Sequence, residues 1–242
     1  MTDVGALTKA IDDAAGALGG LDAVVANAAI YAPGTIRTID DAVFARTLEV
    51  NVLGVIRTVR AALPHLERSD GYVLVVSSVL AVMQAPGFGA YAPSKAAVEA
   101  FANVLRVEAS VLGIEVGTAY FALVDTEMLR GFDSSPTGGY LYRHLPRPLR
   151  RATDVGAAAE AIAAGIEQRA RVVAWPRWLR AVLLLRGFTQ PLLDARLRRL
   201  MPALDQIAED DRRRRGAAAS APVGAGGQAD RPTDGDRRIS PG

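Results

Sequence analysis

The chain has 242 residues, half of them hydrophobic, enough for one sizeable globular core and too few for two full domains. Its 28 basic and 26 acidic residues nearly cancel, so there is no charge field of the kind that draws a nucleic-acid partner. Without cysteine there are no disulfides or thiolate metal sites, His65 and His144 cannot make a zinc site alone, and no metal is expected.

The amino-terminal pattern puts Leu7, Ile11, Ala14, Ala15 and Leu18 on one helical face, which Gly19 and Gly20 then stop. Leu21 to Ala26 is a short Val-rich run, as a strand buried on both faces should be. A long helical pattern follows from about Asp40 to Leu66. Tyr72 to Ser77 reads as a second buried strand, Tyr91 to Leu112 as another long helix, and Ile114 to Tyr120 as a third strand. Alternating helices and strands predict parallel strands with helical crossovers, hence a Rossmann-like, doubly wound α/β fold over residues 1–175. Within it, Thr153 to Gln168 is a helix and Val172 to Ala174 a short strand.

Residues 176–208 are Arg- and Leu-rich helical segments interrupted by Gly187, Pro191 and Pro202, expected to form an appended helical hairpin. Trp175 to Phe188 carries the Trp, Leu and Arg of an amphipathic membrane-contacting helix. A subunit contact or a pocket lid is the favoured use of the same surface. From Glu209 to Gly242 large apolar residues are nearly absent, so a disordered tail is expected. No basic start leads into an apolar run, and no apolar stretch approaches the roughly 18 residues of a membrane span. A cytoplasmic protein without an integral membrane segment is the expectation.

The chemistry concentrates around Tyr91-Ala92-Pro93-Ser94-Lys95, which follows a strand ending in Ser77-Ser78 and a loop containing Pro86, Gly87 and Gly89. Residues four apart share a helical face, so Tyr91 and Lys95 project together. Lys95 is one of two lysines in an arginine-dominated chain, the other being Lys9. An ammonium beside a phenol lowers the phenol pKa and fits it for proton exchange. Ser78, leaving the strand's carboxyl end, can donate to the same substrate oxygen, and such strand ends are where open α/β sheets hold ligands. Tyr72, Phe88 and Tyr120 read as packing residues, Ser77 as a strand-end hydrogen-bonding residue, and His65 as a helix carboxyl-end residue.

This segment resembles the active-site region of the short-chain dehydrogenase/reductase family. Leu21 to Ala29 resembles that family's strand and Asn-Asn-Ala-Gly turn, with Ala26 in place of the first Asn and Ala29 in place of the Gly. Val50-Asn51-Val52-Leu53-Gly54 resembles the helix carrying its fourth catalytic residue. The likeness runs from Met1 to about Val173. It implies an oxidoreductase moving hydride between NAD or NADP and a small-molecule alcohol or carbonyl substrate, in a homo-oligomer.

By the same resemblance, Tyr91 is the acid/base, Lys95 holds the nicotinamide ribose and lowers the Tyr91 pKa, and Ser78 polarises the carbonyl. Asn51 holds a water in a proton relay; the alternative for it is a helix-interior asparagine bonded to backbone. Asn27, Val124 and Thr126, with Tyr91 and Lys95, border the cofactor; for Asn27 a plain turn-forming role is the alternative. Two departures stand out. The family's strand, glycine-rich turn and helix have no counterpart ahead of Met1, so an amino-terminally truncated member lacking the first β-α-β unit is expected. Phe121-Ala122 stands where the family has Pro-Gly. The alternative is therefore a cofactor-binding-deficient, non-catalytic fragment acting as an interaction or dimerising module.

Overall fold

A computed structural model describes residues 1–145 and 147–224. Four parallel strands, β1 (Ala23–Ala26), β2 (Tyr72–Val76), β3 (Glu115–Phe121) and β4 (Val172–Trp175), lie side by side in chain order. Helix α1 (Val4–Leu18) precedes β1, and between the strands lie α2 (Asp41–Leu48), α3 (Gly54–Leu66), α4 (Tyr91–Glu108), α5 (Glu127–Ser134), α6 (Pro136–His144) and α7 (Val155–Glu167). Alternation along each strand sends side chains to opposite faces. Val73, Val75 and Val116 pack under α3 and α4 with Val55, Val59, Val98 and Ala102. Tyr72, Leu74, Ala119 and Phe121 pack under α7 with Ala158. The expected doubly wound α/β fold is present, with helices on both faces.

Local chemistry accounts for the element ends. Asp3, Asp40, Thr126, Ser135 and Asp154 cap helices α1, α2, α5, α6 and α7 with side-chain oxygens. Gly19 closes α1 at φ 78°, a left-handed conformation that glycine adopts without steric cost. Only Leu7, Ile11 and Ala15 of the expected α1 face are covered; Ala14 and Leu18 are exposed. The long helix expected from Asp40 to Leu66 is interrupted by a π-helical turn at Glu49–Leu53, one extra residue that rotates Asn51 inward.

The carboxyl-terminal region departs from expectation. Helix α8 (Leu179–Leu197) runs unbroken through Gly187 and Pro191. It rests on β4, whereas α9 (Met201–Arg215) packs on α6, so the two do not form a self-packed hairpin. Leu204 of α9 is fully buried beside Tyr31, Phe132 and Leu141, and Asp205 pairs with Arg37 at 2.8 Å.

The expected tail does not begin at Glu209. Helix α9 continues to Arg215, a 3-10 turn spans Gly216–Ser220, and Val223 forms an antiparallel bridge with Tyr31. Two backbone bonds, Tyr31 N to Val223 O at 3.1 Å and Val223 N to Tyr31 O at 2.7 Å, hold it there. Backbone pairing needs no apolar composition, which is why composition missed it. The rest of the expected tail, 225–242, lies outside the described residues.

Truncation after Ala208 removes that bridge and the buried Ala219 and Ser220. It should lower the melting temperature by about 5–10 °C. An unchanged transition by calorimetry would contradict this docking.

Candidate active site

The carboxyl ends of β1, β2 and β3 open on one edge of the sheet, and the residues singled out in the sequence emerge there in strand order. Asn27 follows β1, Ser77 and Ser78 follow β2, and Ala122 to Thr126 follow β3. Parallel strands direct all their carboxyl ends the same way, which makes this edge the natural cleft.

Tyr91 and Lys95 occupy the first turns of α4. No side chain caps this helix, since Ala90 is its N-cap. Its amino end is held instead by hydroxyls: Ser94 Oγ donates to Tyr91 O at 2.6 Å, and Ser77 Oγ donates to Lys95 O at 2.9 Å. Ser77 is thus the strand-end hydrogen-bonding residue expected, tied to the helix that carries Lys95.

The Lys95 ammonium is almost completely buried. It donates to Val76 O, the last carbonyl of β2, at 2.8 Å, and lies 5.7 Å from the Tyr91 ring centre. Burial penalises the charged form and lowers its pKa to about 8. For Tyr91, burial pushes the phenol up to about 12, with a hydrogen bond from the Ser78 side chain pulling the other way. In this geometry the ammonium is directed at Val76 O, and loss of hydration around the phenol dominates.

Ser78 is buried; its hydroxyl accepts from Leu80 N at 3.1 Å, capping the 3-10 turn Val79–Ala81, and meets the Tyr91 phenol. Ser78, Tyr91 and Lys95 are therefore brought together.

Asn51 reaches the same place from below and is fully buried. Its Oδ1 accepts from Ile30 N at 2.8 Å, and its Nδ2 donates to Ile30 O at 2.9 Å and to Ser94 Oγ at 3.0 Å. Both amide hydrogens are engaged by protein, so the side chain works as a clamp on the loop after β1.

The remaining candidates form the rim. Asn27 is exposed and has no hydrogen bond among the described residues. Val124 bridges Thr153, and Thr126 caps α5 by accepting from Leu129 N at 3.3 Å.

Sequence reasoning missed Ser94, which links Asn51 to Tyr91, and Tyr31, whose ring lies edge-on to Tyr91 at 6.0 Å. Phe88, expected as a packing residue, joins Tyr31 and Phe132 in an aromatic wall against Tyr91. Nothing local marks Ser94 or Tyr31, since both roles depend on contacts distant in sequence. Tyr72 and Tyr120 are packing residues as expected. His65, in the last turn of α3, faces Asp12 on α1 at 2.7 Å.

The model of the short chain dehydrogenase family matches residues 1–136, more than half of the chain, and the chain belongs to that family. A protein of Mycobacterium tuberculosis named an uncharacterized NAD-dependent oxidoreductase is 34% identical over 152 residues, 60% of this chain and 54% of its own. An 11-beta-hydroxysteroid dehydrogenase of Pinus massoniana is 30% identical over 189 residues, 76% of this chain and 53% of its own. Carveol dehydrogenase from Mycobacterium avium, solved in complex with NAD, superposes with a TM-score of 0.60 at 26% identity, covering 72% of this chain and 69% of that one. The chain spans about half the length of the curated relatives it matches.

The buried Lys95 has a measurable consequence for stability. Its folded-state pKa of about 8 lies below the ordinary 10.5, so between those values the unfolded chain binds more protons. Its contribution to stability is therefore unfavourable below pH 8 and improves as pH rises through this window. Lys95→Met should melt a few degrees higher than wild type at pH 7, with the gap narrowing toward pH 10. A gap independent of pH would contradict a buried, charged Lys95.

Proposed function

We propose that the protein is an oxidoreductase that moves hydride between a nicotinamide cofactor, NAD or NADP, and an alcohol or carbonyl substrate. The observation that carries this reading is the placement of Ser78 at the end of β2 against the start of α4, where the Lys95 ammonium lies 5.7 Å from the Tyr91 ring. The names of the relatives, one NAD-dependent and one solved with NAD, support the cofactor class.

The donor set fits the nicotinamide ribose. Lys95 has three N–H donors and, among the described residues, one hydrogen-bond acceptor, Val76 O, so two donors remain for ribose hydroxyls. Asn27, without a hydrogen-bond partner among the described residues, and Val124 and Thr126 on the opposite rim would border the ring. The cofactor when bound supplies the hydride, and the chain supplies the proton.

Two hydrogen-bond donors converging on one carbonyl oxygen stabilise the negative charge that develops there. Ser78 polarises this oxygen and Tyr91 gives it a proton. A phenol kept neutral by burial is a donor at pH 7, so the site is set for carbonyl reduction near neutrality, with alcohol oxidation favoured as pH rises. Asn51 and Ser94 are positioning residues that hold the loop after β1 against the first turn of α4. Tyr31, Phe88 and Phe132 make the substrate side apolar. A homo-oligomer belongs to the same reading, and the exposed Val104 and Val107 on α4, with Val111 in the 3-10 turn that follows it, offer it an apolar stripe.

The test is nicotinamide absorbance against a panel of aldehydes, ketones and alcohols, with cofactor affinity measured by calorimetry. Tyr91→Phe should lower kcat by at least about a hundredfold while leaving cofactor affinity within a few-fold, because it deletes a proton donor and little binding surface. Lys95→Ala should weaken both. Turnover by Tyr91→Phe within a few-fold of wild type would overturn the assignment. Failure of the folded chain to bind either cofactor would favour a non-catalytic interaction module.

A further inference from the structure

Helix α8 presents an uncovered apolar face. Ala181, Leu184, Leu185, Phe188, Leu192 and Ala195 recur at helical spacing along one side and are all exposed, Leu184 by 85%, Phe188 by 77% and Leu192 by 76%. The opposite side of the same helix is fully engaged. Leu179 is buried, Arg186 pairs with Glu99 at 2.6 Å, and Gln190 exchanges two hydrogen bonds with the backbone of Gln84. Rotation of the helix cannot bury the apolar side without breaking these contacts.

Charge at its ends is of one sign. Arg177 and Arg180 lie at the amino end and Arg196, Arg198 and Arg199 at the carboxyl end, all exposed. The one carboxylate between Pro176 and Leu200 is Asp194, which is half-buried and accepts from Gln190 at 2.7 Å. Trp178, partly exposed, stands beside the amino-terminal arginines.

We propose that the outer face of α8 lies in the interface of an anionic lipid membrane. Leu184, Leu185, Phe188 and Leu192 enter the boundary between headgroups and acyl chains, and the five arginines meet lipid phosphates. The apolar segment from Ala181 to Ala195 is about 20 Å long and lies flat, since one side remains docked on the protein. Among the described residues no helix is long and apolar enough to cross a membrane, which agrees with a surface attachment.

A second copy of the chain fits this face poorly. An antiparallel contact would set Arg177 and Arg180 of one protomer against Arg196, Arg198 and Arg199 of its partner, and a parallel contact would set like against like. No carboxylate on the face relieves either arrangement. Lipid phosphates supply the missing negative charge.

The test is sedimentation of the full chain with sucrose-loaded vesicles, and it requires no turnover, so it stands apart from the catalytic reading. Vesicles of phosphatidylcholine mixed with phosphatidylglycerol should bind the chain, and pure phosphatidylcholine should bind it at least about tenfold more weakly. The double variant Leu184→Asp with Phe188→Asp should lose at least about tenfold in partitioning. Arg180→Glu with Arg198→Glu should lose binding to the anionic vesicles selectively, and raised salt should do the same. All four side chains are exposed, so circular dichroism and melting temperature should be unchanged. Absence of binding to anionic vesicles, or wild-type binding by the double Asp variant, would overturn the proposal. So would a lipid-free dimer that the double Asp variant splits into monomers, which would show that a second copy covers this face.

Discussion

The Asn51 side chain is the constraint on which the site depends. One amide grips both the N–H and the C=O of Ile30 and donates to Ser94, joining three segments far apart in sequence. The loop after β1 is fixed by it, and through Ser94 so is the backbone of Tyr91 at the uncapped start of α4. The π-helical turn is what allows this. Its extra residue brings Asn51 inward where a regular helix would turn it elsewhere, and the turn's conformational cost is offset by three buried hydrogen bonds. Removing the amide would leave buried donors and acceptors on Ile30 without partners, a larger penalty than losing an exposed contact.

Burial then sets the chemistry. Lys95 and Tyr91 start in a helix packed against the sheet, and each is moved away from its ordinary pKa mainly by loss of water. The end of β2 compensates in part: Val76 O accepts from the ammonium, Ser77 holds the Lys95 carbonyl, and Ser78 meets the phenol. Three consecutive residues at the end of one strand thus face the two buried polar side chains at the start of the next helix. A site of this kind is less stable than an apolar one of the same shape, and the reactivity proposed for it would have the same origin.

Much of this was legible in the sequence for identifiable reasons. Strands buried on both faces read as Val-rich runs, and β2 and β3 lie within one residue of expectation. Tyr91, Lys95 and Ser78 were visible because one helical spacing and one strand end bring them together locally. The π turn at Glu49–Leu53 was not visible, because a single inserted residue hardly disturbs a 3.6-residue pattern. Nor was the docking of Val223 on Tyr31, which uses backbone groups that carry no side-chain signature. Burial of Tyr91 was not visible either, since it depends on packing by segments distant in sequence, and Ser94 was passed over because its partner lies 43 residues away. Continuity of α8 through Pro191 was missed because proline reads as a stop until packing against β4 is known.

The proposed chemistry has hydride transferred in this cleft while Tyr91 and Ser78 serve the substrate oxygen. The most direct measurement is isotope transfer from cofactor carrying deuterium at nicotinamide C4 to an accepted aldehyde or ketone, read by mass spectrometry of the product. Deuterium is expected on the new carbinol carbon, with the hydroxyl hydrogen drawn from solvent. Product without deuterium at carbon, or no transfer from either cofactor by a folded chain, would contradict it.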